Sequence, residues 1–250
     1  MKALRLALVA ASLAASVAAA PAGDRFREAN ELARAGDYPK AIALYGELAA
    51  SGEESASLYW NWAQAAAARG AQGEALWALL RARELDPGDR AVVRDVERLR
   101  ESLNLDPAEI APEPLAAAGR ASRRFRLDLV ALALLSLSLL AHGLARTAPG
   151  LRWPAGAAWA TLRLGLLAAA VPLVASLSRP TAVVVRRGAP LLDAASPTAE
   201  ATGSLREGEV VPVLESSGAW LRVEDNAGAR GWAHVEDVRR IDAAPVPVRD

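Results

Sequence analysis

His142 and His234 are the only histidines in this sequence, and cysteine is absent altogether. Thiol nucleophiles, disulfides and cysteine-ligated metals are therefore excluded. The two histidines fall in segments of opposite character. His142 follows a run of leucine and alanine, and His234 sits in the charged stretch AHVEDV, where it reads as a surface loop residue. A shared two-histidine metal site is not expected, and no nucleophile stands near an acid–base partner. The sequence predicts no catalytic residue, no metal, no cofactor and no enzyme activity. Lys plus Arg equals Asp plus Glu at 29 each, so no net field recruits nucleic acid. What remains is the chemistry of recognition, and the question becomes which elements present it.

Two apolar stretches divide the chain, Leu129 to Ala141 and Leu164 to Leu177. Extended to 127–145 and 157–178, each approaches the ~20 residues a helix needs to cross a bilayer. Arg163 lies near one end of the second, where a long side chain can snorkel. Pro172 would kink that helix, and Trp153 and Trp159 mark its start, as interfacial indoles do. Residues 146–156 form the short loop between the spans. Asp128 and His142 lie near the proposed ends and read as solvated interfacial residues. The competing reading is a buried helical hairpin of a soluble domain, and the apolar length favours the membrane.

The opening, MKALRLALVAASLAASVAAAPAG, has a basic start at Lys2 and Arg5 and an apolar core from Leu6 to Val17. It closes on an A-x-A end at Ala18 and Ala20. This is the pattern of a signal peptide over 1–20. Cleavage after Ala22 or retention as an uncleaved anchor are the alternatives.

Residues 24–105 contain an internal repeat. Aligning Gly36 with Gly70 sets Ala29 on Ala63, Ala41 on Ala75, Tyr45 on Leu79 and Leu48 on Ala82, and Pro87 closes the second copy. Small residues let paired helices approach, and each glycine ends the first helix of its pair. Tyr59, Trp62 and Trp77 read as core. Val92, Val96, Leu99 and Leu103 fall on one face of a further helix, whose charged opposite face suits a cap. The copies ARAGDYPKAIALYGEL and AARGAQGEALWALLRARELDP resemble the tetratricopeptide family, whose period is 34 residues. The first copy departs from it in lacking the closing proline. The resemblance implies an all-α solenoid with a peptide-binding groove lined by Phe26, Asn30 and Arg34, then Trp60 and Gln64, then Arg94 and Arg98. An amide there can bond an extended backbone, and arginines can pair with carboxylates.

Residues 106–126, rich in proline, alanine and charge, read as a semi-rigid linker. Beyond Arg179 come five short β-like runs: Ala182–Val185, Val210–Leu214, Trp220–Val223, Gly231–Ala233 and Val238–Ile241. Turn signals separate them at Glu207-Gly208, Ser217-Gly218 and Asn226-Ala227-Gly228. Strands this short must close on one another, so a small all-β barrel is expected over 181–242, with 243–250 as a tail. Leu205-Arg206-Glu207-Gly208, Gly218-Ala219-Trp220-Leu221-Arg222-Val223 and Gly228-Ala229-Arg230-Gly231-Trp232 resemble the bacterial SH3-like (SH3b) family. That resemblance implies protein or cell-wall peptide binding. Trp232 is expected to pack inside the barrel, and Trp220 to lie partly exposed as the ligand contact.

The sequence thus predicts a multi-domain membrane protein: a tetratricopeptide solenoid, a two-helix transmembrane hairpin and an SH3-like barrel. The export signal places both soluble modules in the periplasm, anchored in the bacterial inner membrane. Arg120, Arg123, Arg124 and Arg126 before the first span, with Arg179, Arg186 and Arg187 after the second, favour the inverse arrangement when read locally. The signal acts first and takes precedence. The order of modules resembles the BatE-like family of the bacterial Bat aerotolerance operon. This implies protein partners with von Willebrand A-type domains and a MoxR-type ATPase. An alternative is an anchor or sensor whose barrel grips peptidoglycan.

Overall fold

The computed structural model describes residues 22–106, 125–147, 153–175 and 179–243, with positions 115, 118, 119, 121 and 122 between them. The signal peptide, most of the linker, the centre of the interspan loop and nearly all of the tail lie outside the described residues. So do Lys2, Arg5, Arg120, Arg123 and Arg124.

Five helices come first: α1 Ala22–Arg34, α2 Tyr38–Ala50, α3 Ala56–Ala68, α4 Gln72–Leu85 and α5 Arg90–Ser102. Local signals fix their ends. Gly36 and Gly70 take φ of 81° and 83°, a left-handed conformation that stops α1 and α3. Ser55 Oγ accepts from Leu58 N at 3.1 Å, and Asp89 Oδ1 accepts from Ala91 N at 2.7 Å, capping α3 and α5. The pairs α1/α2 and α3/α4 enclose Tyr45, Leu48, Tyr59, Trp62, Leu76, Trp77 and Leu80, all nearly or fully buried. Val92 and Val96 of α5 close the stack.

α6 Leu127–Thr147 and α7 Trp153–Ala175 pack side by side. The interspan loop is therefore shorter than the sequence suggested, because Trp153 already belongs to α7. Small and polar groups line the contact. Ser138 Oγ donates to Ala158 O at 2.9 Å, and a Cβ at Gly165 would stand 3.0 Å from a Leu135 methyl. His142 is not simply solvated: its ring meets Trp159 edge-on at 5.5 Å, with Nδ1 3.0 Å from Ser138 O. The outer faces are bare leucine, with Leu139 75 % and Leu173 70 % exposed. A core helix of a soluble domain would bury these side chains.

The C-terminal module is one antiparallel sheet of seven strands, β1 Thr181–Val184, β2 Ala189–Leu192, β3 Ala201–Leu205, β4 Val210–Ser217, β5 Trp220–Glu224, β6 Arg230–His234 and β7 Val238–Arg240. Their order is β3-β2-β6-β5-β4-β1-β7. The sheet wraps a core containing Ala182, Val184, Leu191, Leu205, Val211, Leu221, Val223 and Val238. The sequence reading of five strands missed β2 and β3. β2 carries Pro190, and β3 carries Gly203 and Ser204 with four of its five residues exposed, so neither shows strand propensity or alternation. Pairing with each other and with β6 holds them.

The helical array and the sheet are not separate. β1 is buried on both faces: Ala182 and Val184 point into the sheet's own core, whereas Val183 joins the helical core. That is why its apolar run AVVV shows no alternation. Ile241 and partly buried Val185 and Val210 pack on the helices too. Trp77 Nε1 donates to Arg240 O at 2.8 Å, and Arg81 Nη1 donates to Ile241 O at 3.0 Å. α4 lacks a side-chain cap of its own at Ala71. Glu207 of the other module supplies one, its carboxylate accepting from Gly73 N at 2.9 Å, where the helix dipole favours negative charge.

Buried charge completes the joint. Glu74, 4 % exposed, accepts from Trp62 Nε1 at 3.1 Å and from Arg239 Nη1 at 2.8 Å, and it also pairs with Arg69. The Arg239 guanidinium lies 5.1 Å over the Trp77 ring and 5.9 Å from that of Trp62. Arg81 forms a bidentate pair with Glu54, whose Oε1 also accepts from Tyr59 OH at 2.5 Å. Burial opposes the Arg81 charge, but Glu54 outweighs it and raises the Arg81 pKa.

Candidate functional site

The helices fan out so that α1, α3 and α5 line one side of the array, while the sheet packs on α4. The open side carries two clefts that meet at Gln64. One, of about 380 Å³, is lined by Asn30, Arg34, Tyr38, Tyr45, Asn61 and Gln64 among others. The second, of about 270 Å³, includes Gln64, Asp95, Arg98 and Ser102.

Residues four apart on a helix share a face, which brings Phe26, Asn30 and Arg34 onto one side of α1. Phe26 is half-buried against Tyr45, ring centroids 6.2 Å apart, and so serves the core more than the cleft. Asn30 is held firmly. Its Oδ1 accepts from Tyr45 OH at 2.7 Å and from Asn61 Nδ2 at 2.8 Å. This fixes the amide and leaves its NH2 as the donor for a ligand. Burial pushes the Tyr45 phenol up to about 12, with the Arg34 charge drawing it partly back, so it stays a neutral donor. Arg34 is exposed at the cleft's end.

Trp60 is tied down by its Nε1, which donates to Asp95 Oδ2 at 2.9 Å, and Gln64 Nε2 reaches the same oxygen at 3.3 Å. Arg98 lines the second cleft but already pairs with Asp95 at 2.8 Å. Arg94 is exposed and lines neither cleft. The structure therefore places Asn30, Arg34, Gln64 and Arg98 along the clefts, ties Trp60 to them only through Asp95, and leaves Arg94 outside.

Among the cleft residues that were missed are Asn61 and Asp95. Both belong to a ladder, because Asn61–Asn30 and Gln64–Asp95 each span 31 positions. That separation is the 34-residue period less about one helical turn, since neighbouring helices touch a turn out of register. The signal was in the spacing, one turn back from the aligned position.

On the sheet, strand alternation sorts the aromatics. Leu221 and Val223 point inward from β5, so Trp220, Arg222 and Glu224 point outward. On β6, Gly231 and Ala233 are buried and Trp232 and His234 point outward. Trp232 thus does not pack inside the barrel. A Cβ at Gly231 would stand 2.6 Å from Leu191 Cγ, and that crowding leaves no room for a large inward neighbour. Cross-strand pairing sets Trp220 opposite His234 and Arg222 opposite Trp232. Trp220 and His234 meet edge-on at 5.0 Å, and both are partly exposed. His234 stands at the end of β6, not in a loop. No cluster of three or more metal-ligating side chains occurs among the described residues.

Residues 185–239 match the bacterial SH3 domain family. The matched stretch omits β1, the strand that joins this module to the helices. No match is found among curated proteins or among solved structures.

Proposed function

We propose that this chain is a non-catalytic membrane adaptor whose tetratricopeptide-type groove captures an extended segment of a partner protein. One observation carries the reading. The Asn30–Asn61 and Gln64–Asp95 ladder presents fixed amides along an open face, while the SH3 module covers a different one. A row of oriented amides suits a peptide backbone, and Arg34 at the end suits a carboxylate.

In this reading α6 and α7 cross the bilayer. Both are long and apolar enough, and only 11 % of each apolar window is buried within the protein. The joint between α4 and β1 supports having both modules on one side, which an even number of spans allows. Export by residues 1–20 makes that side the periplasm of a bacterial inner-membrane protein. The setting is a Bat-type aerotolerance complex, with von Willebrand A-type partners and a MoxR-type ATPase.

The test is co-purification of the full chain with such partners from detergent-solubilised membranes. Gln64→Ala and Arg34→Ala are the informative changes, because both side chains are exposed. Loss of the partner supports the groove, and undiminished recovery removes it. Asn30→Ala is less clean, since it also strips Tyr45 OH of its acceptor. Peptidoglycan capture by the barrel is the second reading, favoured by the outward Arg222–Trp232 pair. Retention of the protein on purified sacculi, lost with Trp232→Ala, would establish it.

A further inference from the structure

We propose that the tip of the β4–β5 hairpin is a foot that rests in the lipid headgroup layer of the bilayer crossed by α6 and α7. This rests on the membrane reading above and adds a contact that the spans do not make.

Chain continuity gives the direction. α7 ends at Ala175 and β1 begins at Thr181. Six Cα steps reach at most ~20 Å, so the start of β1 stays close to the end of the span. β4 runs antiparallel to β1, with Pro212 opposite Thr181, and Val213 N donates to Pro180 O at 2.9 Å. β4 then continues to Ser217. Its last five residues therefore project ~16 Å past the start of β1, towards the end from which the chain arrives. The projection nearly matches the connector's full reach.

The chemistry of the tip fits that place. Leu214 sits at a register shift between β4 and β5 and is 36 % exposed, unusual for a strand leucine. Ser216, Ser217 and Ala219 are exposed and uncharged, and Trp220 is partly exposed beside them. Of the charges beside the tip, Glu215 and Arg222 pair with each other at 3.6 Å, and Glu236, next to Val235 whose N donates to Ala219 O, stands 3.7 Å from His234. An indole and a leucine among small neutral residues make an interfacial anchor. The opposite end of the same strands differs. There the turn from Asp225 to Ala229 is polar, flanked by the Glu224–Arg230 pair at 2.7 Å.

Because the chain has no cysteine, single-cysteine variants of the full protein report depth directly. Ser217→Cys marks the tip, Ala227→Cys the far turn and Leu139→Cys the span. Each is labelled with nitrobenzoxadiazole in vesicles of phosphatidylcholine and phosphatidylglycerol containing spin-labelled lipid. The foot predicts at least about twofold quenching at position 217 by a headgroup-proximal spin label, none at 227, and loss of that quenching when Leu214→Asp and Trp220→Ser are added. Quenching at 139 but not at 217 overturns the foot, keeps the spans, and returns Trp220 to a wall or protein ligand. Quenching at 217 that survives the double change also overturns it, because the apolar pair would not be what holds the tip. Absence of quenching at 139 removes the membrane reading and the foot together.

Discussion

Gly73→Ala isolates the joint between the helical array and the SH3 module. In most helices this change stabilises by about 0.5–1 kcal/mol, because alanine loses less conformational freedom on folding. Here the sign reverses. A Cβ at position 73 would stand 2.6 Å from Val184 O and 3.0 Å from Val185 Cα, both backbone atoms of the other module. Neither can swing aside, so α4 and β1 must separate by ~0.8 Å to restore ordinary contact. That shift would stretch the bond from Gly73 N to the Glu207 carboxylate, now 2.9 Å, out of range. A charge-assisted bond costs about 1.5–3 kcal/mol when lost, and loosened packing adds about 1. Set against the alanine gain, the net destabilisation is about 1.5–3.5 kcal/mol. For a folded region of this size that lowers Tm by about 5–10 °C. The assay is thermal unfolding of the full chain in detergent, with limited proteolysis between the modules. Gly23→Ala is the control, since nothing lies within 4 Å of a Cβ there, and it should leave Tm unchanged or slightly raised. If Gly73→Ala behaves like Gly23→Ala, the two modules are not docked as described.

Arg239→Ala removes a bond to buried Glu74 and the stacking on Trp77, and should cost about 2–4 kcal/mol in the same melt. Arg222→Ala breaks only an exposed pair at 3.6 Å, and should change stability by less than about 1 kcal/mol. Asn30→Ala leaves the buried Tyr45 hydroxyl without its acceptor, and should cost about 1–3 kcal/mol beyond any effect on binding, read as the difference in Tm from Gln64→Ala. Raising the pH tests both buried phenols. Burial raises the Tyr45 pKa from 10.0 to about 12, and raises that of Tyr59 as well, with Glu54 adding to it. The folded state therefore holds these protons more tightly than the unfolded chain. The resulting stability is complete below pH ~10 and is lost as pH rises through the folded pKa. Denaturant midpoints should fall across that window, and Tyr45→Phe should flatten the fall.

The sequence by itself settled the segments. Glycine at the ends of α1 and α3, small residues at a 34-residue offset, two long leucine-rich runs and turn-punctuated strands are local signals, and each acts within a few residues of itself. They placed the helices, the apolar hairpin and most of the sheet. β2 and β3 escaped because Pro190 and the exposed run Ala201-Thr202-Gly203-Ser204 show no strand propensity, and it is pairing, β3 with β2 and β2 with β6, that makes them strands. In the clefts, Asn30, Arg34 and Gln64 were named through the tetratricopeptide resemblance. Asn61 and Asp95 were not, because contact between neighbouring helices depends on how the pairs stack. Trp232 was misread because inward or outward is set by one residue of register, which Gly231 decides by fitting against Leu191. The joint itself was invisible. Nothing in the neighbouring sequence marks Gly73, Glu74 or Arg239, and AVVV reads only as a short β-like run. Only when α4 meets β1 do these become a close approach, a strand buried on both faces and a buried ion pair, since desolvation belongs to the assembled surfaces and not to either stretch of chain.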